Sequence, residues 1–251
     1  MSDPFHLKNP PIVEAVIDID CDLPPNLDFL SLETAAQQKY GDAYPKLRRR
    51  FSEVHEIKTA ADASMSETSV KRTLDAFQFV QDDEKQLVQV RRLGYSFNRL
   101  APYPGLDALL PDIQRTWQIF YQLTSPTLIR RVRLRYINRI LFPMPDDSLE
   151  LKRVLRCGPQ LPDEEALALR GFLVQYSAIE KATGLTVHAV LTRQPVETAH
   201  VALIFDNAAF DDHAFEAGDW SSISERIAAL RRLKNRVFVN TLTEECLSQY
   251  R

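Results

Sequence analysis

Between Ile129 and Leu141 the chain reads IRRVRLRYINRIL. At the two-residue period of a strand, Arg131, Arg133, Arg135 and Arg139 fall on one face, and Val132, Leu134, Tyr136 and Ile140 on the other. A row of guanidinium groups is chemistry for recognition, because each planar fork matches a phosphate or a carboxylate. In one reading the row forms a sheet face for phosphate or an acidic protein, helped by Arg91, Tyr95 and Arg99 from a neighbouring strand. In the other it pairs across the sheet with Glu14, Asp18 and Asp20 as an exposed ion-pair lattice. The lattice has the better claim, because acidic and basic outer faces occupy equivalent positions in the two halves of the chain.

Two further basic clusters carry weaker signals. Arg48-Arg49-Arg50 reads as the solvated end of a short basic helix, PKLRRRF, where cations suit the helix C-terminus. Arg231, Arg232, Lys234, Asn235 and Arg236 read as the wet face of the last helix, with a partner-binding role as the sharper alternative. The five histidines (His6, His55, His188, His200 and His213) show no metal-ligand spacing with Cys or acid. Asp211-Asp212-His213 comes nearest and reads as an exposed loop. There is no GxSxG, P-loop, GxGxxG or HExxH. With only 7 glycines, a phosphate-cradling loop has little to be built from. Asp82, Asp83 and Glu84 look like a turn. No catalytic residue, metal ligand or cofactor follows from these patterns, and an enzyme is the weakest of the classes considered.

The 251 residues suffice for one large domain or two small ones. A formal net charge of −3 argues against a general polyanion binder, although a local basic patch stays open. Cys21, Cys157 and Cys246 lie far apart without CxxC spacing, which points to a reducing cytoplasm. MSDPFHLKNPP lacks the basic and apolar regions of a signal peptide, and no apolar run approaches the ~20 residues of a membrane span.

The elements that must position these residues can be read in order. Asn9-Pro10-Pro11 holds the entry extended, and Ile12 to Cys21 alternates as a half-buried strand with an acidic outer face. Ser31 caps a helix ending near Gly41, and PKLRRRF follows. The segment from Ala60 to Thr68 reads as a loop or hairpin turn, and strands are expected over Thr73 to Gln81 and Gln86 to Leu100. Leu106, Leu109, Leu110, Ile113, Trp117, Phe120 and Tyr121 share one helix face, with Pro111 suited to a first turn. After the arginine strand come a short helix from Ser148, a second at Pro162 to Gly171, and strands over Phe172–Ile179, Leu185–Thr192 and His200–Asp206. Ser222 and Glu225 open a long helix striped by Ile223, Ile227, Leu230 and Val237. Thr241 and Glu244 repeat the pattern for a short final helix.

Residues 1–125 and 126–251 therefore share the order β-α-β-β-β-α, an internal duplication in outline. The expected class is α+β: a mostly antiparallel curved sheet, single or split in two, with helices packed on one face.

Four stretches resemble an uncharacterised, sporadically distributed family of bacterial and archaeal proteins of about this length. They are NPPIVEAVIDI (9–19), QVRRLGYSFNRLAPY (89–103), LRYINRI (134–140) and LKNRVFVNTLT (233–243). The resemblance implies no activity and no site residue. Patchy distribution of this kind goes with laterally moved cassettes, so it implies a defence or toxin–antitoxin setting by association. The function expected is a non-catalytic protein-binding subunit: antitoxin-like, an immunity protein or an assembly component, with its partner encoded nearby. A nucleic-acid-binding accessory protein using the arginine strand is the alternative, and an enzyme without a recognisable motif the third. No membrane partner is expected, and a homo-oligomer stays open.

Overall fold

The computed structural model describes residues 7–59, 66–143, 151–163, 166–194 and 200–251. The elements in chain order are β1 (Ile12–Asp22), α1 (Leu32–Tyr40), β2 (Lys46–Thr59), β3 (Ser66–Val80), β4 (Gln86–Arg91), β5 (Gly94–Leu100) and α2 (Leu106–Thr124). There follow β6 (Leu128–Pro143), α3 (Leu151–Val154), β7 (Leu173–Ile179), β8 (Thr186–Gln194), β9 (His200–Asp211), β10 (Phe215–Glu216), α4 (Trp220–Thr241) and α5 (Glu244–Ser248).

The ten strands among the described residues belong to one sheet, in the order β2-β3-β4-β5-β1-β6-β9-β8-β7, with β10 beside the start of β6. Every pairing is antiparallel. The fold is thus α+β, and the two halves of the chain meet where β1 pairs with β6. One face of the sheet is apolar. Ala15, Ile17 and Ile19 of β1, Phe97 of β5 and Val132 and Leu134 of β6 join a core with Tyr40, Trp117, Phe120, Ile227 and Leu230 from α1, α2 and α4. A second cluster, with Ile140, Phe142 and Phe205, takes the end of α4, α3 and α5. The same face is therefore covered along its length by helices whose apolar stripes demand burial.

Several sequence expectations need correction. PKLRRRF is no helix. Lys46 to Phe51 begins β2, where Arg49 lies opposite Phe77 and Leu47 opposite Phe79. Proline before a short basic run suits a helix start, but pairing with the long β3 outweighs that local preference. The stretch 86–100 is two strands, because Arg92-Leu93 turns the chain and Gly94 takes φ +141°. A side chain there would collide with the Ile19 carbonyl, so glycine is what lets β5 start beside β1. Helix α2 starts at Leu106 rather than at Pro111, and Tyr121 at its end is exposed. Among the described residues from 159 to 172 there is no helix. Helix α4 starts at Trp220, because Asp219 is its N-cap and accepts from the Ser221 amide. The cap of α5 is Thr243, not Thr241. Of the loop or turn expected at 60–68, residues 66–68 instead begin β3, whose pairing with β2 carries the strand seven residues ahead of the expected start at Thr73; residues 60–65 and the helix start at Ser148 lie outside the described residues.

Candidate functional site

The arginine row lies on the sheet face opposite the core. Arg133 pairs with Asp18, its direct neighbour on β1. Arg135 donates from Nε to Asp206 of β9 at 2.8 Å, and that carboxylate raises the guanidinium pKa above its ordinary value. Arg131 is held in the same way by Asp212, just beyond β9. Arg139 donates to Gln194 of β8. From the other half, Arg91 donates to Asp20 at 2.7 Å. The expected lattice exists, with altered partners. Glu14 accepts from Asn98 instead, and Asp206 and Asp212 enter from a strand that spacing alone could not place beside β6. Asn98, Gln89 and Gln78 continue the hydrogen-bonded chain towards Arg50.

Two residues expected on this face are elsewhere. Tyr95 points into the core, packs on Trp117 and Phe120, and shares a hydrogen bond with the Thr116 hydroxyl. Arg99 shares the parity of Tyr95 and Phe97, so it too lies on the helix side, its Nη2 reaching the Pro102 carbonyl. A strand shows every second residue to one face, and 95, 97 and 99 are out of step with Arg91 once the 92–93 turn intervenes. Arg48 and Arg49 pair with Glu84 and Glu33 as edge-strand residues. Asp211 is no exposed loop residue either: it is 5% exposed at the end of β9, where it holds Arg226 and His213.

Helix α4 is not uniformly wet over its basic run. Arg231 pairs with Asp107 of α2, Arg236 pairs with Glu180, and Arg232 is exposed. Lys234, however, is only 3% exposed, with Nζ 3.5 Å from the centre of the Tyr136 ring and a 2.9 Å bond to Asn235. Its burial was legible. Ile227, Leu230, Lys234 and Phe238 follow helical spacing, so the lysine stands at a core position of the stripe.

Lys234 lines a cavity of about 360 Å³ where the start of β1, the β5–α2 connection, the middle of β6 and α4 meet. All four stretches behind the family resemblance contribute to it: Pro10 to Ile12, Tyr103, Tyr136 with Asn138, and Lys234 with Asn235 and Phe238. The hydroxyls of Tyr103 and Tyr136 share a hydrogen bond, and burial pushes the Tyr103 phenol well above its usual range. Among the described residues no group of His, Cys, Asp and Glu could hold a metal ion, and no helix is long and apolar enough to cross a membrane.

The two edges of the sheet differ. Strand β2 carries Lys46, Arg48, Arg49, Arg50 and Glu53, the charges that discourage strand addition. Strand β7, LVQYSAI, carries none. Leu173 and Ile179 are 68% and 69% exposed there, and among the described residues only β8 pairs with it. A search against protein-family models finds no match for the chain, and neither does a search of curated proteins.

Proposed function

We propose that the chain is a non-catalytic protein-binding subunit that takes an extended segment of a partner protein onto β7. The observation that carries this reading is the uncharged edge, with Leu173 and Ile179 outward at its two ends. A strand edge offers a row of backbone donors and acceptors, and alternate side chains of an added strand would meet those two residues. A second copy is the weaker occupant, since edge-to-edge pairing would double a sheet already at ten strands. A polyanion fits the arginine face less well, because Arg131, Arg133 and Arg135 already hold carboxylates and would have to release them.

Placement as an antitoxin-like, immunity or assembly subunit rests on the resemblance alone, and cytoplasmic residence on the spacing of the cysteines. The reading of the two halves as a duplication is supported by their pairing: each half's first strand, β1 or β6, lies beside the last long strand before its long helix, β5 or β9.

The test is binding of the purified product of the adjacent gene, measured by calorimetry. The double variant Leu173→Lys, Ile179→Lys should bind about a hundredfold more weakly with an unchanged melting temperature. Unchanged affinity would refute the reading. Concentration-dependent self-association abolished by the same variant would assign the edge to a second copy.

A further inference from the structure

We propose that the segment taken onto β7 is a partner strand with carboxylate side chains at both ends of an uncharged stretch of about seven residues. The inference rests on the reading of β7 as a site of strand addition, and it names the kind of strand that fits. Leu173–Ile179 carries no charge itself, but cations stand beyond each of its ends. At the Leu173 end, Arg193 of β8 donates to the Arg170 carbonyl, which brings two arginines together. Among the described residues neither of them holds a carboxylate. At the Ile179 end Lys181 is exposed, and the one acid there, Glu180, already holds Arg236. The Thr183 hydroxyl and then Arg236 keep the Glu180 carboxyl below the usual glutamate range, and Arg232 of α4 adds to this. Glu180 is the only acid between residues 166 and 194. Asp211 and Asp212, past the end of β8, are engaged by Arg226 and Arg131. Each end of β7 therefore holds more positive charge than its own acids neutralise, in a chain whose net charge is −3.

A strand rises about 3.3 Å per residue, so the two cationic ends stand roughly 20–25 Å apart along the edge. Between them the outward residues Gln175 and Ser177 are polar and neutral, so backbone pairing alone leaves the register of an added strand loose. Acids spaced to meet both ends would fix that register. Because both ends are cationic, they serve a strand running in either direction. A nucleic acid fits less well, since it carries charge along its whole length and would lay phosphates over the uncharged middle.

The probes are synthetic peptides that share the core Thr-Val-Thr-Val-Thr-Val-Thr and carry a pair of aspartates, serines or lysines at both ends. Binding to the full chain is read by fluorescence anisotropy. At low salt the aspartate-ended peptide should bind about tenfold more tightly than the serine-ended one, with the lysine-ended peptide weakest. At about 1 M salt, where screening acts within about 3 Å, that advantage should shrink to about twofold or less. Arg170→Glu combined with Lys181→Glu should reverse the order, and since both residues are exposed the fold is retained. An acid preference that survives this charge reversal would overturn the proposal. The serine-ended peptide isolates strand addition itself, and its binding should be lost in Leu173→Lys, Ile179→Lys. If it binds and the aspartate-ended peptide binds no better, the reading of β7 stands and this inference falls. If no peptide binds, both fall. A short oligothymidylate bound as tightly as the aspartate-ended peptide would give these cations to nucleic acid and likewise sink the inference.

Discussion

Arg133 donates from Nε to Oδ2 of Asp18 at 2.8 Å, and the two are direct register partners across the junction of β1 and β6. Their exposures are unequal: the Asp18 side chain is 10% exposed and that of Arg133 39%. Asp18 also accepts from the Ser96 hydroxyl, with Arg91 at 3.9 Å. Removing Arg133 thus strips one partner from a nearly buried carboxylate. The cost should lie between that of an exposed pair, ~0–1 kcal/mol, and a fully buried one, about 3–5 kcal/mol. We expect roughly 1–3 kcal/mol for Arg133→Gln in denaturant unfolding. Arg131→Gln, whose partner Asp212 is half-exposed, should cost less than about 1 kcal/mol. Equal costs for the two would show that burial of Asp18 does not decide the strength of this lattice.

Gly94 makes a sharper test of the β1–β5 contact. Its φ of +141° is a conformation that side chains resist, and a Cβ there would press on the Ile19 carbonyl. Both effects oppose Gly94→Ala, and together they should destabilise by at least about 2 kcal/mol. A loss of under half that figure in chemical denaturation would mean β5 can shift away from β1 at little cost.

Phe120 is fully buried between Tyr95 and Trp117. Phe120→Ala should cost roughly 3–5 kcal/mol, the range for emptying an aromatic site in a packed core. Tyr121, one residue along and 38% exposed, serves as control: its alanine variant should fall within about 1 kcal/mol of the wild type. Similar losses at both positions would contradict the observed orientation of α2.

The legible parts of this fold are those where periodicity was long. Ile12–Cys21, the stripe of α2 from Leu106 to Phe120 and the arginine strand all lie where their spacing places them. Face assignment within a strand is secure, so the arginines do share one face. What spacing cannot supply is the neighbour. Asp206 and Asp212 reach the row because β9 pairs with β6, a contact some seventy residues distant in the chain. Tyr95 and Arg99 lie on the opposite face from the one their spacing to Arg91 suggests, because a two-residue turn is hidden inside one continuous run. Lys46 to Arg50 failed for another reason: local helix preference competes with pairing to β3, and only the tertiary partner decides. The cavity needed four separate stretches to meet, although Lys234 at a core position of its helix was a visible sign.

Asp211 leads to a prediction about acid. Burial opposes ionisation of this carboxyl, but the His213 amide at 3.0 Å, the His213 ring at 2.6 Å and Arg226 outweigh it and hold its pKa below the usual aspartate value. The folded protein therefore releases this proton more readily than the unfolded chain, whose aspartates titrate near ~3.9. Its contribution is fully present above that pH and is lost as pH falls through the lower folded-state value. Between those two values the slope of unfolding free energy against pH should carry up to about 1.4 kcal/mol per unit from this residue. In Asp211→Asn the slope should be smaller there by that amount, whatever the variant's stability at neutral pH. The measurement is urea unfolding at closely spaced pH values from neutrality down to about 3. Parallel curves for wild type and variant across that range would show that Asp211 is not held ionised by Arg226 and His213.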